Sequence, residues 1–221
     1  MKSFLLSSAL LLSSLALAQT SPTLSPLLEE GQRELTLMQT SSYQHKTEVD
    51  ELAGRMNYDC SGFLDYALRK VALAAYKELS ISKVSAKRPL AQDFYALFSS
   101  LTGPSAHWQP ILKALDLQPG DIVSWLRQPD NDSNNTGHVM LVRALPMLNP
   151  QNSAEVLVLV LDSTTSPHAQ DSRVKGQNGL GMGTIGILTD SAGNALAYHW
   201  RGGVSRKEEA TPIAFGRLLE R

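Results

Sequence analysis

The spacing of apolar residues changes partway along the chain. Between residues 60 and 80, Phe63, Leu64, Ala67, Leu68, Val71, Ala72, Ala75, Tyr76 and Leu79 recur at three- and four-residue steps, which lines them up on one face of a helix. The spacing predicts one long helix there, the strongest in the chain. Two further helical stretches cover 91–101, closed by Gly103 and Pro104, and 108–115. A shorter helix over 27–38 carries Leu28, Leu35 and Met38 on one side, and a helical turn over 48–55 ends at Gly54 or Asn57. Beyond Pro119 the segments 121–126, 139–144, 156–161, 184–188 and 195–200 are short, apolar and rich in β-branched residues, the mark of strands. Residues 190–194 are a turn between the last two, and 128–136 and 163–183 are long polar loops, with Gly176, Gly179, Gly181 and Gly183 making a mobile stretch. Helices first and an antiparallel sheet of about five strands afterwards predict an α+β domain.

The first residues carry a different pattern. Lys2 precedes an apolar, serine-dotted run over 4–17, which ends in Ala16-Leu17-Ala18, the small-x-small site of a secretory signal peptide. Residues 1–18 are therefore expected to be removed and the protein to act in the periplasm or outside the cell. A lead-in segment over 19–45 follows, then a single domain over 46–221. No later window approaches the roughly 20 apolar residues of a membrane helix, so stable membrane insertion is not expected. The formal net charge of −1 comes from interspersed residues of both signs, which argues against nucleic acid as a partner.

Cysteine usage narrows the chemistry. The chain holds one cysteine, Cys60, and an unpaired thiol in an exported protein asks for a use. Cys60 lies in Tyr58-Asp59-Cys60-Ser61-Gly62-Phe63, at the start of the strongest predicted helix. There the macrodipole and free backbone NH groups favour thiolate, and the same NH groups suit an oxyanion. A thiol nucleophile needs a base, and five histidines are present. His138 is preferred because Gly137-His138 opens a predicted strand after a polar loop. If the strands 139–144 and 156–161 pair end to end as a hairpin, His138 faces Asp162, which would orient the imidazole. His168 is the alternative third member. Arg173 and Arg201 are solvated or hold substrate carboxylates.

Three blocks together carry a resemblance: Asp-Cys-Ser-Gly-Phe at 59–63, Leu-Gln-Pro-Gly-Asp-Ile-Val at 117–123, and Gly-His-Val at 137–139. In order and approximate spacing they resemble the NlpC-type cell-wall cysteine peptidase family over residues 58–162. The resemblance implies a papain-like core, no cofactor, and hydrolysis of amide bonds in peptidoglycan stem peptides, with Cys60 as nucleophile, His138 as base and a polar residue on the next strand as orienter. It further implies that Asp59 and Ser61, with Tyr58 beside them, bind the free amino end of a stem peptide. The family's upstream tyrosine, which assists the oxyanion, has Tyr43 or Tyr58 as its counterpart here. A protein regulator of unidentified kind is a further expected partner.

Two other readings compete. A zinc-dependent hydrolase would use His138, Asp162, His168 and His199, although no two of these share a one-element ligand motif. A non-catalytic wall-binding or adaptor domain would line a peptide or glycan groove with Trp108, Trp125, Tyr198 and Trp200, though it has no need of the thiol.

Overall fold

The computed structural model describes residues 25–85, 87–127 and 135–219. The expected signal peptide over 1–18 and most of the loop over 128–136 lie outside the described residues. In chain order the elements are α1 (Pro26–Leu37), β1 (Thr40–Ser42), β2 (Glu48–Asp50), β3 (Arg55–Asn57), α2 (Cys60–Val71), α3 (Leu73–Ser82), α4 (Ala91–Ser100), β4 (Trp108–Ile111), β5 (Ile122–Leu126), β6 (Gly137–Val142), β7 (Met147–Asn149), β8 (Asn152–Thr164), β9 (Gly179–Thr189), β10 (Ala195–His199), β11 (Glu209–Ala210) and β12 (Ile213–Leu218). The fold is mixed α+β. A nine-stranded antiparallel sheet runs β11-β10-β9-β8-β6-β5-β12-β4, with β7 added on β8, and β1-β3-β2 form a separate small sheet.

Period-two alternation sorts the large sheet into two faces. Ile122, Val139, Leu141 and Leu161 meet Leu28, Phe63, Leu64, Leu68, Phe94 and Phe98 from the helices in one core. Val123, Trp125, Met140, Val142, Val158, Val160, Ile185 and Phe215 form a second core on the opposite face. Helix α2 packs on β6 and β8, so the start of that helix, the head of β6 and the end of β8 fall in one place. No helix among the described residues is long and apolar enough to cross a membrane.

Several expectations need correction. The sheet has nine strands where about five were expected. Strand β12 went unread because it is short, and two of its six residues, Gly216 and Arg217, interrupt the apolar run; it nonetheless pairs with both β5 and β4. The long helix after Cys60 is two helices, broken at Ala72 (φ −146°, ψ 54°). Periodicity conceals that break because Leu68, Ala75 and Leu79 are buried on both sides of it. The expected turn over 48–55 is the hairpin of β2 and β3, which closes through Gly54 at φ 63°. The helix expected over 108–115 is the edge strand β4 followed by a short 3-10 turn, Ala114–Asp116. Trp108, Ile111 and Ala114 are buried at three-residue steps, which mimics a helix, but Pro110 is at home in an edge strand, where its missing NH costs no ladder bond.

The glycine-rich segment also differs. Gly179, Gly181 and Gly183 belong to β9, hydrogen-bonded along the whole C-terminal half of β8. They are needed for space. A Cβ on Gly181 would lie 2.6 Å from Arg173 Nε, and one on Gly183 would lie 2.6 Å from Asp171 Oδ2.

Candidate active site

Cys60 is the first residue of α2, whose N-cap is Asp59: the Asp59 carboxylate accepts from the Gly62 NH at 2.7 Å. That cap binds one of the NH groups a helix start leaves unpaired. Cys60 is 5% exposed. His138 heads β6, preceded by Gly137 at φ 132°; a Cβ on Gly137 would lie 1.9 Å from the Trp125 carbonyl oxygen, so only glycine allows the strand to begin here.

The hairpin expected from the sequence forms with a different register. Leu141 pairs with Leu161 and Val142 with Val160, which extends to Thr164 opposite His138. Asp162 is thus a diagonal neighbour on the same face, because a two-residue offset preserves the side to which a side chain points. The contact is made nonetheless. His138 Nε2 lies 2.6 Å from Asp162 Oδ2, and the Cys60 sulfur is near enough to the imidazole to raise its proton affinity. With Nε2 taken by the carboxylate, Nδ1 is the ring nitrogen left to exchange a proton with the sulfur.

Asp162 is fully buried and gathers more than one imidazole. His168 Nε2 approaches the same Oδ2 at 2.9 Å, while His168 Nδ1 faces the carbonyl of Trp200 at 3.0 Å. Arg173 Nη2 donates to Oδ1 at 2.9 Å, and Arg173 is held in turn by Asp171 and by the Gly179 carbonyl. The Asp171 carboxylate also accepts from the His168 backbone NH at 2.7 Å. Asp162 and His168 are therefore both in the cluster, one contacting His138 directly and the other bracing that contact. Arg173, expected at the surface or on substrate, is 6% exposed and clamps Asp162. Arg201 is exposed.

The electrostatics follow from these contacts. Burial favours neutral Asp162, yet His168, the hydrogen bonds from both histidines and the Arg173 guanidinium hold its carboxyl well below the usual range. Burial likewise opposes charge on His138, but a negative Cys60 sulfur, the hydrogen bonds to Asp162 and Cys60, and the Asp162 charge outweigh it and raise the imidazole to about 10. These shifts describe an imidazolium beside the Cys60 sulfur, fixed from behind by a carboxylate.

Tyr43 stands at the sulfur. Burial first, then the Cys60 and Asp59 charges and a hydrogen bond to Cys60, push its hydroxyl well above the ordinary tyrosine value. Tyr58, the other candidate for that position, is fully buried and donates to Glu34 Oε2 at 2.7 Å. It is buried against α1, which sets it apart from the oxyanion and substrate-binding positions expected for it. Asp59 and Ser61 flank Cys60 as expected, but both are buried in a network around Arg88, a residue that sequence reasoning missed. Arg88 comes from the segment between α3 and α4, more than twenty residues away, and nothing in the local pattern marks it.

A cleft of about 600 Å³ opens beside His138, bounded by Tyr43, Trp125, Tyr198, Trp200, Thr164 and Arg127. Trp125 and Tyr198 stack at 4.0 Å and 11°, and Trp200 stands against both imidazoles, 5.1 Å from the His138 ring and 4.3 Å from that of His168. Three of the four aromatics expected to line a groove are here. Trp108 is in the core between helices and sheet, donating to the Ala75 carbonyl.

Among the described residues, the ligand atoms of His138, Asp162 and His168 lie within 4.8 Å of one another and could receive a metal ion. His199 is not with them; it binds Glu155 at 3.0 Å. Both Nε2 atoms of the cluster already face Asp162 Oδ2 at hydrogen-bonding distance, so an ion would have to displace those bonds.

No family model matches the chain, and no solved structure matches it. Among known proteins, an uncharacterized protein of Acanthamoeba polyphaga mimivirus is 30% identical over 182 residues, covering 72% of this chain and 77% of the viral protein.

Proposed function

We propose that this chain, which belongs to the same family as the mimivirus protein, is a cysteine hydrolase that cleaves amide bonds in peptidoglycan stem peptides. One observation carries the proposal: His138 lies 2.6 Å from the buried Asp162 carboxylate with its proton affinity raised by the neighbouring Cys60 sulfur, the arrangement a thiol nucleophile, its base and its orienter require.

The chemistry runs in two halves. The Cys60 thiolate attacks the scissile carbonyl carbon, and the carbonyl electron pair moves onto oxygen. The oxyanion is met by the backbone NH at the start of α2 and by the Tyr43 hydroxyl. The His138 imidazolium then gives its proton to the leaving nitrogen, the C–N bond breaks, and an amine departs from a thioester on Cys60. In the second half His138, now neutral, takes a proton from water; hydroxide adds to the thioester, the C–S bond breaks, and a carboxylic acid leaves. Asp162 holds the ring in the productive tautomer throughout, and His168 and Arg173 hold Asp162.

We read the core as papain-like and of the NlpC type. This is supported by a cysteine opening a helix packed on β6 and β8 and by a histidine at the head of β6. The signal-like pattern over 1–18 supports an exported protein, and the wall-peptide substrate rests on the three resembling blocks. Incubating purified protein with muropeptides, with Cys60→Ala as control, tests the reading by mass spectrometry of the products. Cleavage that survives in Cys60→Ala would reject it.

The convergence of His138, Asp162 and His168 favours one second reading, a metal-dependent hydrolase. A chelator would abolish that activity and spare a cysteine enzyme, whereas iodoacetamide would do the reverse.

A further inference from the structure

The start of α2 beside Cys60 is built around one guanidinium. Arg88 Nη2 donates to both oxygens of Asp59 at 2.7 Å. Arg88 Nη1 reaches Ser61 Oγ at 2.7 Å, the Pro89 carbonyl at 3.0 Å and Asp65 Oδ2 at 3.3 Å. The Asp59 carboxylate is filled by this arrangement. Its Oδ1 also accepts from the Gly62 NH at 2.7 Å and from Ser61 Oγ at 3.3 Å, while its Oδ2 faces His45 Nδ1 at 3.0 Å. A carboxylate offers about four lone-pair positions, and all of them are in use.

The charge there is cancelled as well. Asp59 is matched by Arg88, and burial pushes the Asp65 carboxyl up to about 8, which keeps it uncharged near neutral pH. Tyr43, hydrogen-bonded to the sulfur, feels the charges of both Asp59 and Arg88, so the pair belongs to the neighbourhood of the reacting atom. An ammonium group arriving there would find the Asp59 carboxylate already engaged and no net negative charge, and it would face a guanidinium whose side chain is 22% exposed.

We infer that Arg88 determines specificity: it withholds Asp59 and Ser61 from substrate, so the enzyme acts on acyl chains whose amino end is blocked by acylation, and does not select a free amino terminus. On the wall-peptide reading, from which this inference proceeds, the preferred substrate is a stem peptide still acylated at its amino end.

The test uses two probes that differ only there, Ala-Ala-Ala chloromethyl ketone with a free amine and the same compound acetylated. Cys60 displaces chloride from either probe, and intact-protein mass spectrometry follows the rate at which the adduct forms. Turnover is not required. The acetylated probe is expected to react at least as fast as the free amine. In Arg88→Met, which exposes the Asp59 charge, the ratio of free to acetylated rate is expected to rise about tenfold, equivalent to about 1.4 kcal/mol. Arg88→Lys keeps a cation but loses the two-pronged contact and should fall between the two. A wild-type protein that reacts several-fold faster with the free amine would overturn the inference, even if both variants failed to fold. An unchanged ratio in a folded Arg88→Met would also overturn it. Absence of any Cys60 adduct with both probes would remove the cysteine-hydrolase reading itself, and this inference with it.

Discussion

Replacing Asp162 with asparagine separates charge from shape at the centre of the cluster. Arg173 Nη2 needs an acceptor at Oδ1, 2.9 Å away, so the amide oxygen of the new side chain turns toward the guanidinium and its NH2 group toward the two imidazoles. A donor then points at His138 Nε2, where a carboxylate had accepted at 2.6 Å. The ring responds by carrying its hydrogen on the other nitrogen, facing Cys60, and in that tautomer it cannot take a proton from the thiol. An inverted tautomer of this kind costs about 10²–10⁴-fold in acylation. The imidazole also loses two of the influences that hold it near 10, the Asp162 hydrogen bond and charge; each tenfold change in its protonation equilibrium is about 1.4 kcal/mol. The cost in stability is smaller, about 1–3 kcal/mol, because Arg173 keeps an acceptor, whereas removing one partner of a buried ion pair outright costs about 3–5 kcal/mol. The variant should therefore fold, and its loss of rate can be read as chemistry. The assay is the pH dependence of Cys60 alkylation by iodoacetamide, paired with turnover of muropeptides. With the imidazole no longer raised by Asp162, the alkylation profile of Asp162→Asn is expected to lie at higher pH than that of the native protein. A variant within about threefold of the native protein in turnover, with the same alkylation profile, would refute the argument that Asp162 orients and charges His138.

Cys60→Ala should abolish turnover and still fold, since it removes a single sulfur from a buried position at a cost of about 1–2 kcal/mol, while His138→Ala should slow acylation by a factor of about 10² or more. Gly183→Ala in β9 should lower activity without contacting substrate, because its Cβ would lie 2.6 Å from Asp171 Oδ2 and 2.8 Å from His168 Cβ; thermal unfolding should show a cost of about 1–3 kcal/mol, and normal activity would dissociate that bracing from catalysis. Glu34 is fully buried, and burial, opposed by the Tyr58 hydrogen bond, lifts its carboxyl from the ordinary 4.5 to about 8. Above pH 4.5 the unfolded chain sheds a proton that the native state keeps, so stability falls as pH rises, until the native carboxyl also ionises near 8. Glu34→Gln should flatten that decline and stabilise the protein by about 1–3 kcal/mol at pH 8, measured by urea unfolding across pH 5 to 8.

The elements legible in the sequence are those whose apolar spacing coincides with burial. Helix α2 is one: its stripe Phe63, Leu64, Ala67 and Leu68 is wholly buried, and Cys60 at its head was readable from the same stripe. The strands β5, β6 and β8 are others, because Val and Ile alternate between two real cores. Where spacing and burial part, the reading fails. Trp108, Ile111 and Ala114 are buried at three-residue steps in an edge strand and the turn after it, and β12 is short and broken by Gly216 and Arg217, with its place between β5 and β4 set by contacts nearly a hundred residues away in the chain.

The site divides along the same line. The candidate nucleophile and base, Cys60 and His138, follow from residue type and local position, since a helix start and a strand head are local features. The residues that tune them are not local. His168, Asp171 and Arg173 follow β8 in a loop, and their burial becomes intelligible only when β9 is laid beside β8 with glycines at 181 and 183, which leaves room for the Arg173 stem and the Asp171 carboxylate. The same holds at the start of α2, where Arg88 completes the surroundings of Asp59. The His138–Asp162 contact tolerated a wrong register because the error was two residues, and strand side chains repeat every two. An error of one would have put Asp162 among Leu141, Leu161 and Phe63 in the helix-side core, where a carboxylate without Arg173 and His168 could not remain ionised.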